Sequence, residues 1–311
     1  MATSSRTFEI VPRGDYSLEQ GANFIGAWHR APSDSGEPQG HLHLAFLTDG
    51  DLAPVGVCLR QESAGRVLGT IYGDGAEMPD VVKQVARILS LDVDGRGWPE
   101  VGKRDPVVAR LQKMFPGFRP VNWSNAYEAA AWCVISSRIS MRQGERVKDR
   151  MSRELGHAID VHGHVLWTFV GPDRLAHLEK FPGLFGRKVE YLNALGRAAL
   201  AGEVDTEKLR AMPREESLKS LQRLPGIGAF GSELVRLRAL SAVDELPSQE
   251  RRLLGAVRTE YGLASDPDQA TLERLAEKWA PYRMWVCVCL RRTMEGGAGM
   301  THSRATQETV S

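Results

Sequence analysis

The stretch 218–240 constrains the fold of this chain more than any other part of the sequence. Leucines recur at helical spacing on both sides of its centre, at Leu218, Leu221, Leu224, Leu234, Leu237 and Leu240. Between the two runs, Pro225 ends the first helix, while Gly226 and Gly228 supply backbone angles that other residues resist. The sequence therefore predicts two amphipathic helices joined by a tight turn.

The composition of this turn indicates what it binds. Ile227 is expected to point inward and to hold the two helices together. Because Gly226 and Gly228 have no Cβ, the backbone N–H groups of the turn, which runs from Pro225 to Ala229, can approach a phosphate at the start of the second helix. The alternative is a plain turn between two core helices. The Leu-Pro-Gly-Ile-Gly sequence between amphipathic helices favours a helix-hairpin-helix, which binds the DNA backbone without reading its sequence.

Composition limits the remaining classes of protein. The chain has 311 residues, of which 42% are hydrophobic and 25% charged, as in ordinary globular proteins. Its formal net charge of +1 means that a nucleic-acid site must be a local patch. No apolar run approaches the roughly 20 residues of a membrane span, and residues 1–7 lack the apolar core of a signal peptide. We therefore expect a cytoplasmic monomer without a membrane partner.

The cysteines and histidines do not predict a metal site. The chain has four cysteines, Cys58, Cys133, Cys287 and Cys289, and no C-x-x-C pair. Buried, reduced thiols are the expectation. The close histidine pairs are His41 with His43 and His162 with His164, and strand or loop positions explain them better than metal coordination does.

Residues 7 to about 75 have the composition of β-strands. Strands are expected over 8–11, 41–47 and 70–72, with turns at Asp49-Gly50 and Asp74-Gly75 and a polar loop over 33–40. An antiparallel sheet is the predicted result.

From Pro79 onward the pattern becomes helical. Helices are expected over 81–89, 106–115, 125–135, 141–155, 172–178, 188–201, 206–212, 250–261, 269–279 and 282–295. Ser124 is the expected cap of the third of them. The predicted fold is α+β, with an antiparallel β domain (1–78), an all-α region (79–295) made of two helical subdomains, and a tail (296–311) expected to be disordered.

A second informative stretch, 136–153, joins two predicted helices and is rich in cations. Arg150 and Arg153 are best explained as a solvated helix face balanced by neighbouring acids. Arg138 differs, because it lies in the non-helical corner before Ile139 and Ser140. A side chain at such a corner can enter a duplex and fill the space left by an extruded base.

The order of these parts resembles the helix-hairpin-helix DNA glycosylases, and most of all the AlkA-type 3-methyladenine DNA glycosylase II. The resemblance covers roughly 7–295 and is most specific over 132–155, 180–200 and 221–254. It implies a small antiparallel β domain joined to two helical subdomains with a cleft between them. It also implies that the protein flips an alkylated base out of double-stranded DNA and hydrolyses its N-glycosidic bond.

The resemblance implies roles for residues at matching positions. Gly226 and Gly228, with the amides that follow, would hold a phosphate, and Arg138 would be the wedge, with Ile139 beside it. Phe230 falls where the lyase-type members carry a nucleophilic lysine, which implies a monofunctional enzyme. No cofactor is expected, although the carbonyls of the hairpin could bind a monovalent cation.

Phe230 and Tyr282 fall where the alkylation branch places the aromatic residues of its base pocket. N-alkylated purines are cationic, and an aromatic face attracts a desolvated cation by about 2 kcal/mol or more. The alternative is that both residues belong to the ordinary core.

The sequence departs from the family at the catalytic aspartate. Counting from Phe230 without gaps places Glu250 at that position, whereas anchoring on Leu246 and Pro247 places Gln249 there. Asp244 fits neither alignment. An oxocarbenium-like sugar needs a nearby anion and a positioned water, and Glu250 supplies both whereas Gln249 supplies no charge. The alternative is a helix start that is capped by Ser248, with Glu250 as an ordinary first-turn acid.

Two hypotheses follow from the sequence. The first is a monofunctional DNA glycosylase that acts on alkylated or otherwise weakened purines with the help of Glu250. The second is a catalytically inactive relative that binds damaged or bent DNA, because the family's aspartate is missing.

Overall fold

The computed structural model describes residues 6–26, 28–31, 39–62, 65–73 and 75–295. The expected disordered tail, Asp74 of the second turn signal and residues 33–38 of the polar loop lie outside them. The strands are β1 (Arg6–Ile10), β2 (Trp28–Ala31), β3 (Gln39–Leu47), β4 (Pro54–Gln61), β5 (Val67–Tyr72), β6 (Ala158–Val161) and β7 (His164–Trp167).

The helices cover most of the chain after the first sheet. They are α1 (Leu18–Phe24), α2 (Met78–Ile88), α3 (Trp98–Arg104), α4 (Pro106–Met114), α5 (Ala126–Ser136), α6 (Met141–Leu155), α7 (Pro172–Ala176), α8 (Lys188–Leu200), α9 (Thr206–Ala211), α10 (Arg214–Gln222), α11 (Ala229–Arg238), α12 (Arg251–Tyr261), α13 (Gln269–Ala276) and α14 (Arg283–Glu295). A 3-10 turn, Glu277–Trp279, follows α13. The α+β class predicted from the sequence is confirmed.

Five strands form an antiparallel sheet in the order β1-β5-β4-β3-β2, as the sequence predicts. The predicted turn at Asp49-Gly50 joins β3 to β4, and Gly50 has a φ of +82°, which favours glycine. One face of the sheet packs on α1 and α2, where Val57 and Leu59 meet the apolar stripe of α2. The core of the β domain therefore includes α2, which extends from Met78 past the predicted domain boundary.

A short β-hairpin, β6–β7, interrupts the helical region and packs against the sheet. The expectation that 79–295 would be entirely helical is therefore wrong at this point. The strands have four residues each, which is too short for a periodic signal. Gly56 on β4 makes room for them, because a Cβ there would lie 2.4 Å from Val161 and 2.9 Å from Ile159.

Two hydrophobic cores hold the helices. The first is formed largely by α5 and α7–α11, and the second by α3, α4 and α12–α14. α1 and α3, with seven residues each, were not predicted because they are too short to show a clear apolar period. No helix within the described ranges has the length and hydropathy needed to span a membrane.

The cap of α5 differs from the predicted one. Asn125, rather than Ser124, is the N-cap, and its side chain accepts the Glu128 N–H at 2.7 Å. Asn125 also donates to the Leu47 carbonyl at 2.9 Å, which ties the start of α5 to the end of β3. Ser124 instead donates its hydroxyl to the Glu128 carboxylate.

Candidate nucleic-acid interface and active site

The turn between α10 and α11 has the predicted backbone geometry at Gly226 but not at Gly228, whose φ of −95° is one that any residue adopts. Gly226 has a φ of +87°, and a Cβ at this position would lie 2.6 Å from the Tyr191 ring. The position therefore requires glycine for two local reasons. Ile227 is only 5% exposed and packs in the first helical core with Leu221 and Leu224, so the predicted inward orientation is confirmed.

The N-terminus of α11 is open to an external acceptor. Gly228 is the N-cap and offers no side chain to cap the helix. Nothing lies within 4 Å of the position of a Cβ on Gly228, and Pro225, Gly226 and Ala229 are exposed around it. The first N–H groups of a helix have no partner within the helix and attract anions. The surface formed by residues 225–229 can therefore accept a phosphate.

The helices α5 and α11 pack antiparallel, which brings the Arg138 corner to the same end as this surface. Near one end the Cys133 thiol contacts the Gly231 carbonyl at 3.7 Å. At the other end the Trp123 N–H donates to the Arg238 carbonyl at 2.7 Å. The residues that follow α5 therefore lie near the first turn of α11.

Arg138 occupies this corner in an unusual backbone conformation. Its φ is +56°, a left-handed angle that costs a non-glycine residue free energy and that often occurs at functional sites. The side chain is exposed, whereas that of Ile139 is half-buried. Ser140 and Gln143 then form a capping box that fixes the start of α6. The corner thus presents a cation on a well-defined turn, as predicted.

The cations of α6 fall into two groups. Arg150 pairs with Glu154 at 2.5 Å and Arg153 with Asp149 at 3.0 Å, so their interpretation as a balanced, solvated face is confirmed. Arg142 and Arg146 are exposed, and like Arg138 they form no ion pair within the described part of the chain. Even with the exposed Glu145 between them, Arg142 and Arg146 give the first half of α6 a net positive charge.

Glu250 lies in the loop before α12 and caps that helix itself. Its Oε1 accepts the Arg252 N–H at 3.0 Å, so Ser248 is not the cap, contrary to the alternative raised from the sequence. Glutamate is an uncommon N-cap, since shorter polar side chains are preferred. The side chain is half-buried, and no Lys or Arg of the described residues forms an ion pair with it. Its carboxylate is close enough to α14 to help burial raise the pKa of the Cys287 thiol.

Glu233 on α11 positions this loop, although no sequence motif singled it out. The side chain is 6% exposed. Its carboxylate accepts the backbone N–H groups of Ser248 at 2.9 Å and Gln249 at 3.1 Å, and also the Ser248 hydroxyl at 2.6 Å. Arg214 balances its charge at 3.1 Å. The available signal was a glutamate that helical spacing places on the same side of α11 as Phe230 and Leu237.

The other carboxylates of this loop already have cationic partners. Asp244 pairs with Arg283 at 2.6 Å, and Glu245 pairs with Arg236 at 2.6 Å. Gln249 is exposed, and its amide donates to the Ser248 hydroxyl at 3.0 Å. Among the acids of residues 244–250, Glu250 is therefore the one whose charge no described cation neutralises.

The two predicted pocket aromatics lie in different environments. Phe230 is 49% exposed in the first turn of α11, and it precedes Glu233 by three residues, on the same side of the helix. Tyr282 is 4% exposed, packs against Trp98 and Trp285, and donates its hydroxyl to the Asp94 carbonyl at 2.5 Å. Phe230 therefore presents an open aromatic face, whereas the buried position of Tyr282 favours the core alternative over a place in the pocket.

Comparisons with known proteins agree with this geometry. No protein-family model matches the chain. A DNA-3-methyladenine glycosylase of Bacillus subtilis is 23% identical over 219 residues, which cover 69% of this chain and 72% of that protein. DNA-3-methyladenine glycosylase 2 of Escherichia coli is 26% identical over 188 residues, covering 57% of this chain and 61% of that protein.

Solved structures share the fold over nearly the whole chain. The 3-methyladenine DNA-glycosylase from Archaeoglobus fulgidus has a TM-score of 0.74 at 18% identity, covering 92% of this chain and 99% of that one. The 8-oxoguanine glycosylase/lyase of Clostridium acetobutylicum, in complex with double-stranded DNA, has a TM-score of 0.64 at 16% identity, covering 95% and 99%. The chain therefore shares the fold of these solved DNA glycosylases and is similar in sequence to proteins named DNA-3-methyladenine glycosylases.

Proposed function

We propose that this protein is a monofunctional DNA glycosylase that extrudes an alkylated purine, of the 3-methyladenine kind, from double-stranded DNA and hydrolyses its N-glycosidic bond. The observation that supports this most strongly is that α11 connects three features. Its N-terminus is open, its Gly231 contacts the end of α5 that leads to Arg138, and its Glu233 holds the loop that carries Glu250. The names of the similar proteins support the same substrate class.

Each feature has a distinct task in this proposal. The N–H groups after Gly228 hold a phosphate, which fixes the position of the strand without reading its sequence. Arg138 enters the duplex and fills the space that the extruded base leaves. Phe230 offers its exposed face to a cationic base, which an aromatic ring attracts.

The Glu250 carboxylate acts at the sugar. The bond between C1′ and the base nitrogen breaks, the base leaves with the bonding electrons, and positive charge develops on the deoxyribose. A fixed anion stabilises that charge. Water then bonds to C1′, and its proton passes to the carboxylate. An alkylated purine is already cationic, so it leaves as a neutral base and needs no protonation by the enzyme.

The reaction ends at the abasic site. A lyase step needs an amine nucleophile that forms a Schiff base with the sugar. Phe230 stands at the position where lyase-type relatives carry that amine, and its ring cannot react in this way. The expected product is therefore an intact strand with one abasic site, which breaks only after alkali treatment.

Base release from duplexes that each carry one lesion tests the proposal. We expect free base and alkali-sensitive strands with at least one N-alkylated purine, and a loss of both in Glu250→Gln. The isosteric amide keeps an oxygen that can accept the Arg252 N–H but removes the charge. Gln249→Ala is the matched control from the same loop, and it should retain activity.

The rival hypothesis is a binder of damaged or bent DNA. One observation favours it, because one carboxylate oxygen of Glu250 already accepts the hydrogen bond that caps α12. This hypothesis predicts salt-sensitive DNA binding with no base release above the buffer control on any lesion. If Glu250→Gln releases base as fast as the wild type, the protein is a glycosylase but Glu250 has no part in its mechanism.

A further inference from the structure

The two histidine pairs of the sequence, which are far apart along the chain, meet on the outer side of the sheet. His41 and His43 project from the same face of β3, and Cys58 on β4 lies opposite His43 in the antiparallel register. His162 is in the turn of the β6–β7 hairpin, which packs on these strands. The sequence explanation of these residues as strand and loop positions is therefore correct, but incomplete.

The donor atoms of these four residues form one compact group. His41 Nδ1 lies 3.2 Å from Cys58 Sγ, which lies 3.6 Å from His162 Nδ1. The His41 and His162 rings stack at 4.9 Å, and the His43 ring approaches His162 edge-on at 5.5 Å. One ligand atom from each of the four residues lies within 4.8 Å of all the others.

These separations suit a tetrahedral metal ion. With zinc–sulfur and zinc–nitrogen bonds of about 2.3 and 2.0–2.1 Å, neighbouring ligands of a tetrahedral ion lie about 3.5 Å apart. The two nitrogen–sulfur distances, 3.2 and 3.6 Å, are close to that value. Three imidazoles and one thiolate select borderline ions such as Zn²⁺ rather than Mg²⁺ or Ca²⁺, which prefer oxygen.

We propose that His41, His43, Cys58 and His162 bind one divalent transition-metal ion of the Zn²⁺ type, which ties the β6–β7 hairpin to the sheet. The metal–sulfur bond forms as the Cys58 thiol loses its proton to solvent. The role is structural, because three of the ligands come from the sheet and the fourth comes from the hairpin that follows α6. The proposal does not depend on the glycosylase activity.

The surroundings of the group allow an ion to enter and bind. A cleft of about 600 Å³ opens beside it and is lined in part by His41, Cys58 and His162. Burial lowers the pKa of His41, which keeps its imidazole in the neutral form that ligates metals. Burial also raises the pKa of Cys58 to about 11, so the thiol is protonated until a metal displaces the proton. Arg60, on the rim of the cleft, is exposed, and solvent screens its charge.

Titration of the metal-stripped, full-length protein with Co²⁺ tests the site. We expect one equivalent to produce the visible bands of tetrahedral cobalt and a near-ultraviolet thiolate-to-cobalt band, both abolished by added Zn²⁺. Cys58→Ser should lose the thiolate band. Cys133→Ser removes a thiol from the helical core and should leave the spectrum unchanged.

A second variant tests the site without changing the buried cysteine, so that misfolding of Cys58→Ser does not decide the result. His162 is exposed and has a φ of +55°, a conformation that asparagine tolerates, so His162→Asn should keep the fold. We expect it to weaken Co²⁺ binding by about tenfold or more, as even the loss of a ligand's supporting partner does. Absence of the cobalt bands in the wild type, or bands that persist in both Cys58→Ser and His162→Asn, would overturn the proposal. Base release should be the same in wild type and His162→Asn when no metal is added.

Discussion

Substitution can separate the observed capping bond of the Glu250 carboxylate from its proposed role at the sugar. Glu250→Gln keeps an oxygen for the capping bond to Arg252 and should leave the free energy of unfolding within about 1 kcal/mol of the wild type. The loss of the negative charge beside the sugar should lower single-turnover base release by roughly 10²–10³-fold. Release under enzyme excess, measured alongside thermal unfolding, checks both expectations. Equal release by wild type and variant would contradict the assigned role.

The two hairpin glycines should respond differently to alanine. Gly226→Ala adds a Cβ 2.6 Å from Tyr191 at a φ of +87°, and should destabilise the fold by about 1–3 kcal/mol. The new methyl group of Gly228→Ala would meet no atom within 4 Å, and the φ of −95° suits alanine, so the free energy of unfolding should hold. The same methyl group should keep a phosphate away from the turn. We expect a loss of about 1 kcal/mol in DNA binding. Denaturant unfolding and fluorescence anisotropy with a duplex measure the two effects, and unchanged binding by Gly228→Ala would argue against the phosphate site.

At the scale of elements, α6 contains its own control for DNA binding. Arg142 and Arg146 form no ion pairs within the described residues, whereas Arg150 and Arg153 are each paired with an acid four residues away. Each of Arg142→Ala and Arg146→Ala should reduce the slope of log K against log salt by about 1. Arg150→Ala and Arg153→Ala should leave the slope within error of the wild type. A larger change in the second pair would place the contact surface elsewhere on the helix.

The loop before α12 depends on α11 through Glu233. In Glu233→Gln, the amide oxygen can still accept both the Ser248 and Gln249 N–H groups, which share one carboxylate oxygen. The amide nitrogen then replaces the oxygen that accepts from the Ser248 hydroxyl and from Arg214, so those two bonds are lost. The loop should shift, and we expect kcat to fall by at least tenfold while KM and DNA affinity change little. Steady-state kinetics with a single-lesion duplex separate these terms. A purely structural role would instead lower thermal stability and leave the kcat of the folded fraction intact.

At the scale of the whole molecule, the proposed metal adds a link between the sheet and the helical region. At a hundredfold excess of free Zn²⁺ over its Kd, binding should raise the free energy of unfolding by about 2.7 kcal/mol. The shift in unfolding temperature should disappear in His162→Asn and after chelation. Calorimetry with and without Zn²⁺ measures it, and an equal shift in wild type and variant would point to binding elsewhere.

The sequence predicted the features that arise from neighbouring residues. The inward Ile227, the left-handed Gly226 and the paired Arg150 and Arg153 depend on local spacing or local turn geometry. The sequence did not predict Glu233 and left the pocket and core alternatives for Tyr282 open, because each depends on contacts between distant segments. The histidine–cysteine group is the extreme case, since Cys58 and His162 are 104 positions apart and meet only through the docking of the β6–β7 hairpin.

The joint between α6 and that hairpin has a mechanical consequence. Only Gly156 and His157 separate Leu155 from β6, and a Cβ on Gly156 would lie 2.2 Å from the Thr168 carbonyl oxygen. His157 also exchanges two hydrogen bonds with Thr168, so we expect the helix and the hairpin to move as one unit. Docking of the hairpin on the sheet should therefore fix the orientation of Arg142 and Arg146 relative to DNA in the proposed complex, although the β domain itself takes no part in that contact.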